Sequence, residues 1–209
     1  RAEDARGHGF TEISAIPNTI YDWKIYRDDL ILSVESFVEK KGEAVILGGH
    51  SMGGASVMQV AAERPDLVSG IVLVEPVLIS ELSLNILKLA RKFPATKFIP
   101  MIKEMTSRSD STLKRRVEFP NKEMILKSYK GRGAFSTWNK GFLEDYIQGG
   151  TKSYKDKIKL TCDPRWEAAT FASWKHNAMN SIKKISCPIV LLQGEVGSTT
   201  RDIGVKLLK

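Results

Sequence analysis

Apolar residues recur at spacings of three and four along residues 26–40, which is the pattern of one face of an α-helix. That face is formed by Leu30, Ile31, Val34, Phe37 and Val38. Two lysines and a glycine follow at positions 40–42, as is common where a helix ends. The pattern predicts an amphipathic helix that covers one side of a core.

Three short apolar runs predict strands that are fully buried, at residues 44–47, 70–74 and 188–192. Between the first two, residues 52–63 are rich in Ala, Met and Val and end at Arg64-Pro65, which predicts a helix and its end. Strand, helix and strand at this spacing are typical of a parallel sheet in an α/β protein.

The pattern changes between residues 78 and 184. Helical stretches are separated there by prolines and glycines, and the sequence contains no run that predicts a strand. Residues 200–209 resemble the opening of a further helix. We therefore expect a first core part at 1–79, a helical insertion at 80–185 and an incomplete second core part at 186–209.

Composition excludes several classes of protein. Of 209 residues, 42% are hydrophobic and 27% charged, which argues against disorder, a collagen-like repeat and a disulfide-stapled miniprotein. No stretch reaches the roughly 18 apolar residues of a membrane span. The two cysteines, Cys162 and Cys187, favour reduced thiols and a cytoplasmic protein.

The positive charge is concentrated in the insertion. The net charge of the chain is +8, residues 81–160 carry +10, and the other residues together carry −2. Ordinary solvated lysines explain such a surface, and an attraction for acidic partners is the alternative. Because no nucleic-acid motif accompanies the basic residues, we expect no DNA or RNA partner.

Residues 49–53 contain the candidate catalytic motif of the sequence. They read Gly-His-Ser-Met-Gly, a G-x-S-x-G pattern between a predicted strand and a predicted helix. At such a turn the serine is held in a strained backbone conformation, and we expect side chains at Gly49 and Gly53 to collide with their surroundings. The N–H of Met52, at the helix start, is the expected donor to an oxyanion.

This chain resembles the α/β-hydrolase fold family, in its lid-bearing group. Besides G-x-S-x-G, residues 4–10 resemble a D-x-R-G-H-G segment after the fourth strand of that fold, residues 63–76 its third helix and sixth strand, and residues 188–195 its seventh strand. The resemblance implies a parallel-sheet core with a helical lid inserted between strands six and seven. It also implies a triad of serine, acid and histidine, in which Ser51 is the nucleophile.

The acid of that triad stays open among three residues. Glu75 stands at the end of the predicted sixth strand, where some relatives place it, and a carboxylate there is costly unless it is functional or well paired. Glu195 and Asp202 follow the predicted seventh strand. Glu75 is favoured, and its alternative role is that of a strand-end carboxylate bound to neighbouring backbone.

The histidine is where the chain departs from the family pattern. The family's base follows an eighth strand, whereas His8, His50 and His176 all stand elsewhere. The resemblance implies a fragment truncated at both ends, whose catalytic histidine lies beyond residue 209. We therefore expect an inactive piece of an active parent.

The resemblance implies a serine hydrolase that cleaves a small or medium hydrophobic ester, thioester or related carbonyl compound through an acyl-enzyme. The alternative is a non-catalytic member of the fold that binds a small signalling ligand. No cofactor and no metal are expected, because no cluster of His, Cys, Asp or Glu has ligand spacing.

Overall fold

The computed structural model describes residues 1–93, 95–96, 100–173, 175–176, 178–198 and 200. Its helices are α1 Lys24–Lys41, α2 Met52–Glu63, α3 Glu81–Lys92, α4 Pro100–Leu113, α5 Lys122–Tyr129, α6 Phe142–Gly149, α7 Pro164–Phe171 and α8 Ala178–Ser181. Its strands are β1 Val45–His50, β2 Val68–Val74, β3 Glu118–Phe119, β4 Thr151–Tyr154, β5 Lys157–Leu160 and β6 Ile189–Leu192. Asp202 and nearly all of the helix predicted at 200–209 lie outside the described residues.

The predicted parallel sheet is confirmed. Its strand order is β1-β2-β6, and both pairs of neighbouring strands run parallel. At the centre of the sheet Leu47 pairs with Ile71, which pairs in turn with Ile189. The chain passes from β1 to β2 through α2, as the spacing of the apolar runs predicts.

Helix α1 ends where the sequence predicts, at Lys41. Gly42 follows with a φ of 78°, and its N–H donates to the carbonyl oxygen of Val38 at 2.7 Å. Only glycine adopts this left-handed conformation at little cost, so this residue ends the helix without strain.

The main core lies between α1, α2 and one face of the sheet. Helix α2 is buried along its middle, from Gly54 to Ala61. Its side chains pack with Val34 of α1 and with Ile71 and Leu73 of β2. Because α2 buries nearly its whole middle, it is mostly apolar there, and its two buried polar side chains, Ser56 and Gln59, donate to the carbonyl oxygens of Met52 and His176.

The opposite face of the same sheet is exposed, which corrects the prediction of strands buried on both faces. Ile46 is 70% exposed, and Val190 and Leu192 are each 51% exposed. Side chains alternate between the two faces of a strand, and nothing among the described residues covers the second face. An apolar run therefore predicted the strands correctly but not the cover on both sides of them.

The chain forms two compact units. One consists of residues 1–19 and 106–171, and the other of the described part of residues 20–105 and 172–209. The second unit contains the parallel sheet, while residues 1–19 group with most of the predicted insertion. The predicted division at 1–79, 80–185 and 186–209 separates segments by their position in the sequence, whereas the two units are grouped by contacts in space. That division stays a prediction.

The insertion is not purely helical, contrary to the expectation from its sequence. Strands β3, β5 and β4 form a small antiparallel sheet, in that order. Residues 151–160 alternate lysines with other residues, so they contain no apolar run from which strands could be predicted. The connection between β4 and β5 contains Lys155 at a φ of 53°, which suits a tight hairpin.

The first unit has its own core. Phe119, Ile125, Leu143 and Ile147 form its centre, with Ile158 packed against them. Residues 1–19 are tied to this unit through Trp166, which is fully buried and whose indole N–H donates to the carbonyl oxygen of Arg6 at 3.0 Å. No helix within the described ranges is long and apolar enough to cross a bilayer.

Candidate active site

Ser51 lies at the turn between β1 and α2 in a strained backbone conformation. Its φ is 53° and its ψ is −118°, which is rare for a residue with a side chain. The Ser51 N–H donates to the carbonyl oxygen of Val74 at 3.0 Å, and its own carbonyl oxygen accepts from the N–H of Val77 at 3.1 Å. The end of β2 therefore holds the strained residue from both sides.

The two glycines of the G-x-S-x-G pattern differ in the space that surrounds them. A Cβ on Gly49 would come within 2.4 Å of the carbonyl oxygen of Gly53, so no side chain fits at position 49. A Cβ on Gly53 would meet nothing within 4 Å, so the expected collision at that position is wrong. The close approach after the serine is at Gly54, where a Cβ would lie 2.9 Å from the Cβ of Pro76.

Met52 is the first residue of α2 and follows Ser51 directly. The first N–H groups of a helix have no partner within the helix, and they carry the positive end of its dipole. This is the position that an oxyanion donor requires. The assignment of the Met52 N–H to that role stays a prediction.

Glu75, at the end of β2, is bound tightly to the loop after β6. Its Oε1 accepts from the N–H of Gly194 at 2.6 Å, and its Oε2 accepts from the hydroxyl of Ser198 at 3.0 Å and from the N–H of Thr200 at 3.1 Å. The N–H of Glu75 donates to the carbonyl oxygen of Leu192 at 3.0 Å, and its φ is 44°.

The partners of Glu75 were not anticipated from the sequence, although the run Ser198-Thr199-Thr200 after the third apolar run offered a signal. Hydroxyl-bearing residues in a loop are common ligands of a carboxylate. Of the other two candidate acids, Glu195 is exposed, and Asp202 lies outside the described residues. The choice of acid stays a prediction.

The side chain of His176 is buried, and its described contacts are with residues other than Ser51. Its ring stacks on that of Trp23, with 3.8 Å between centroids. Its Nε2 lies 2.9 Å from the carbonyl oxygen of Ser173, and its Nδ1 is buried without a hydrogen-bond partner among the described residues. Burial lowers the pKa of His176 to about 4, so the ring is neutral at physiological pH.

The other two histidines differ in surroundings. His8 places its Nδ1 3.0 Å from the carbonyl oxygen of Arg6, within the first unit. His50 is the last residue of β1 and its side chain is exposed. Across the described ranges, no side chain hydrogen-bonds to the hydroxyl of Ser51, and no group of three His, Cys, Asp or Glu could hold a metal ion.

A comparison with protein families finds one match over most of the chain. The family model described as serine aminopeptidase S33, a hydrolase family, matches residues 1–130. Among curated proteins, mouse monoglyceride lipase is 35% identical over 80 residues, which are 38% of this chain and 26% of that protein. Lipase LipV from Mycobacterium tuberculosis is 36% identical over 76 residues, which are 36% of this chain and 26% of that protein.

Solved structures show the same fold. The thioesterase domain from the curacin biosynthetic pathway superimposes with a TM-score of 0.67 at 17% identity, covering 99% of this chain and 67% of that one. E-2-(acetamidomethylene)succinate hydrolase gives a TM-score of 0.63 at 17% identity, covering 97% of this chain and 65% of that one. The chain thus spans about two thirds of these structures, and the stretch matched in the curated lipases is about a quarter of their length.

Proposed function

The chain belongs to the serine aminopeptidase S33 family of α/β-hydrolases, and we propose that it carries the nucleophile of a serine hydrolase that cleaves a hydrophobic ester or thioester. The observation that carries the proposal is Ser51 at a φ of 53° between β1 and α2. A strained residue persists only where its surroundings enforce it, and such strain clusters at active sites. Two of the similar proteins are lipases, which supports an ester of hydrophobic character.

In the proposed reaction the Ser51 oxygen attacks the substrate carbonyl carbon and loses its proton to a histidine. The N–H of Met52 donates to the oxyanion that forms, at the positive end of α2. The alcohol or thiol leaves with the proton, and Ser51 is left as an acyl ester. Water then attacks the ester, which releases the acid and restores the hydroxyl.

Glu75 is the proposed acid of the triad, which orients the histidine and stabilises its charged form. Its contacts with Gly194, Ser198 and Thr200 support the role, because an orienting acid has to be rigid. The same contacts are also compatible with a purely structural carboxylate. Glu75→Gln removes the charge and places an NH2 group against one of these donors, so its melting temperature is measured beside its activity in an active form of the protein. Lost activity at an unchanged melting temperature would indicate the catalytic role.

We propose that the 209-residue chain alone is inactive, because no general base contacts Ser51 in the described part of the chain. His176 is engaged with Trp23 and with the Ser173 carbonyl group, and no imidazole among the described residues hydrogen-bonds to Ser51. A positioned general base contributes about 10²- to 10⁴-fold to the rate. The same observation favours the second candidate, a non-catalytic protein of this fold that binds a small ligand.

Imidazole supplied in solution tests the nucleophile and the missing base together. The chain is assayed on p-nitrophenyl esters of increasing acyl length, with and without added imidazole, beside Ser51→Ala and the control Ser14→Ala, which removes an exposed hydroxyl from the first unit. We expect no turnover in buffer alone, and imidazole-dependent turnover by the chain and by Ser14→Ala above the level of Ser51→Ala.

Each deviation from this result contradicts a different part of the proposal. Imidazole-dependent rates that are equal in the chain and in Ser51→Ala would exclude Ser51 as the nucleophile and favour the binding protein. Turnover in buffer alone that disappears in Ser51→Ala would show that the chain contains its own base.

A cytoplasmic location is also proposed, supported by the free thiols of Cys162 and Cys187.

A further inference from the structure

The hairpin of β4 and β5 presents a strongly basic face. Lys152 pairs with Lys159, and Tyr154 pairs with Lys157, so these four side chains lie on one face of the antiparallel ladder. Lys155 stands in the connection between the strands. We call these five residues the basic hairpin face. The other face of the hairpin carries Ile158 and Leu160, which pack against the core of the unit.

The basic hairpin face contains two like charges in direct opposition. Lys152 and Lys159 are directly opposed across the ladder, where like charges destabilise the pair of strands. Lys155 and Lys159 also lie over the ring of Tyr154, with their ammonium nitrogens 5.6 Å and 5.0 Å from its centroid. Two positive charges are therefore gathered at one tyrosine ring.

Two carboxylates offset part of this positive charge. On the same face, Glu118 of β3 lies opposite Lys159, and its carboxylate is 3.6 Å from the ammonium of Lys157, with both side chains about half exposed. Asp156 in the connection is exposed. Four lysines against these two carboxylates leave the face a net charge of +2, which a surface with many anions would complement.

We propose that the basic hairpin face binds the surface of an anionic lipid bilayer. Clusters of four or more lysines bind acidic lipid headgroups, and tyrosine and tryptophan rings are enriched at the bilayer interface. Tyr154 is the aromatic ring that lies on the basic hairpin face itself, among its lysines.

A single-stranded nucleic acid fits this face less well. Binding of that kind depends on bases that stack on open aromatic rings. Tyr154 is the aromatic residue of the hairpin, and two ammonium groups already lie over its ring.

The proposal is independent of the chemistry at Ser51, so the variant Ser51→Ala is expected to bind vesicles as the parent chain does.

Sedimentation with lipid vesicles tests the proposal. The chain is mixed with vesicles of phosphatidylcholine alone and of phosphatidylcholine with phosphatidylserine, at low and at high salt. We expect binding only to the vesicles with phosphatidylserine, and release at high salt because the screening length shortens. Each lysine near an anionic surface contributes about a fivefold change in binding, from roughly 1 kcal/mol per residue.

Two variants and a control separate the hairpin from net charge and from folding. Substitution of the four hairpin lysines by Gln is expected to weaken binding by about 10²- to 10³-fold. The control replaces four exposed lysines of the other unit by Gln, Lys40, Lys41, Lys183 and Lys184. It is expected to bind within a few-fold of the parent. Lys152→Glu turns the repulsive pair into an attractive one, so it should bind vesicles more weakly while its hairpin is at least as stable.

Three results would overturn the proposal. One is equal vesicle binding by the hairpin variant and the control variant. Another is equal binding of the chain to neutral and to anionic vesicles. The third is tight binding of a single-stranded RNA oligomer that the hairpin variant loses, without binding to vesicles, since that would identify a nucleic acid as the partner.

Discussion

The buried imidazole of His176 makes the stability of the fold depend on pH. Burial lowers its pKa to about 4 in the folded protein, from 6.5 for a free histidine side chain. Between these two values the unfolded chain takes up a proton that the folded chain does not. The unfolded state binds more protons there, so the free energy of unfolding rises with pH and falls as the solution is acidified from pH 6.5 towards pH 4.

The size of the effect follows from the two pKa values. A difference of one pKa unit corresponds to 1.36 kcal/mol, so the full loss approaches about 3 kcal/mol, of which about 2 kcal/mol appears between pH 7 and pH 4.5. That is a large share of the stability of a typical domain. Every carboxylate bound in the folded state adds its own pH dependence, so the contribution of His176 has to be isolated by substitution.

The variant His176→Phe isolates it. Phenylalanine keeps an aromatic ring beside Trp23, where the imidazole stacks, but it takes up no proton. It also loses the hydrogen bond to the Ser173 carbonyl group, so we expect lower stability at pH 7. The informative quantity is the slope: the loss between pH 7 and pH 4.5 should be smaller in the variant by about 2 kcal/mol.

Urea unfolding at a series of pH values, followed by tryptophan fluorescence, measures these slopes. The control is His50→Gln, which removes an exposed imidazole and keeps the buried one of His176. Equal slopes in the parent and in His176→Phe would refute the reasoning, because they would mean that His176 is protonated as readily in the folded state as in the unfolded state.

Two further sites give predictions with a built-in comparison. Gly49→Ala should prevent correct folding of the turn, because its Cβ would lie 2.4 Å from the Gly53 carbonyl oxygen. Gly53→Ala should keep the melting temperature or raise it, with a gain of up to about 1 kcal/mol in the free energy of unfolding. Equal melting temperatures would contradict the difference. Trp166→Ala should cost about 3–5 kcal/mol in urea unfolding, because the ring is fully buried and its N–H binds the Arg6 carbonyl group. A cost below 1 kcal/mol would mean that residues 1–19 are not held by this ring.

The elements that could be predicted are those in which apolar residues recur at a regular spacing or form an unbroken run. The face of α1 at Val34 and its neighbours, the apolar runs of β1, β2 and β6, and the end of α1 at Gly42 all appear where the sequence places them. The position of Ser51 between a strand and a helix was predictable for the same reason, since both flanking elements have clear patterns.

The parts that could not be predicted depend on partners far away in the chain. Lys152 and Lys159 belong to strands because Phe119, on a third strand, packs with Ile158 beneath them, and no local pattern shows this. The open space at Gly53 depends on the path of neighbouring backbone, which a motif does not specify. In both cases the environment, and not the residue type, decides the outcome.

Glu75 shows how far a single residue type can be interpreted from sequence. A carboxylate after an apolar strand had to be either functional or well paired, and the pairing is present: Gly194, Ser198 and Thr200 all donate to it. Hydrogen bonds to a charged group contribute about 1.5–3 kcal/mol each, so the loop after β6 is fixed to the end of β2 by this side chain. The same β2 end holds the backbone of Ser51 through Val74 and Val77. One strand end therefore fixes both the proposed nucleophile and the proposed acid, and the contacts that satisfy the charge of Glu75 would also keep a catalytic acid in place.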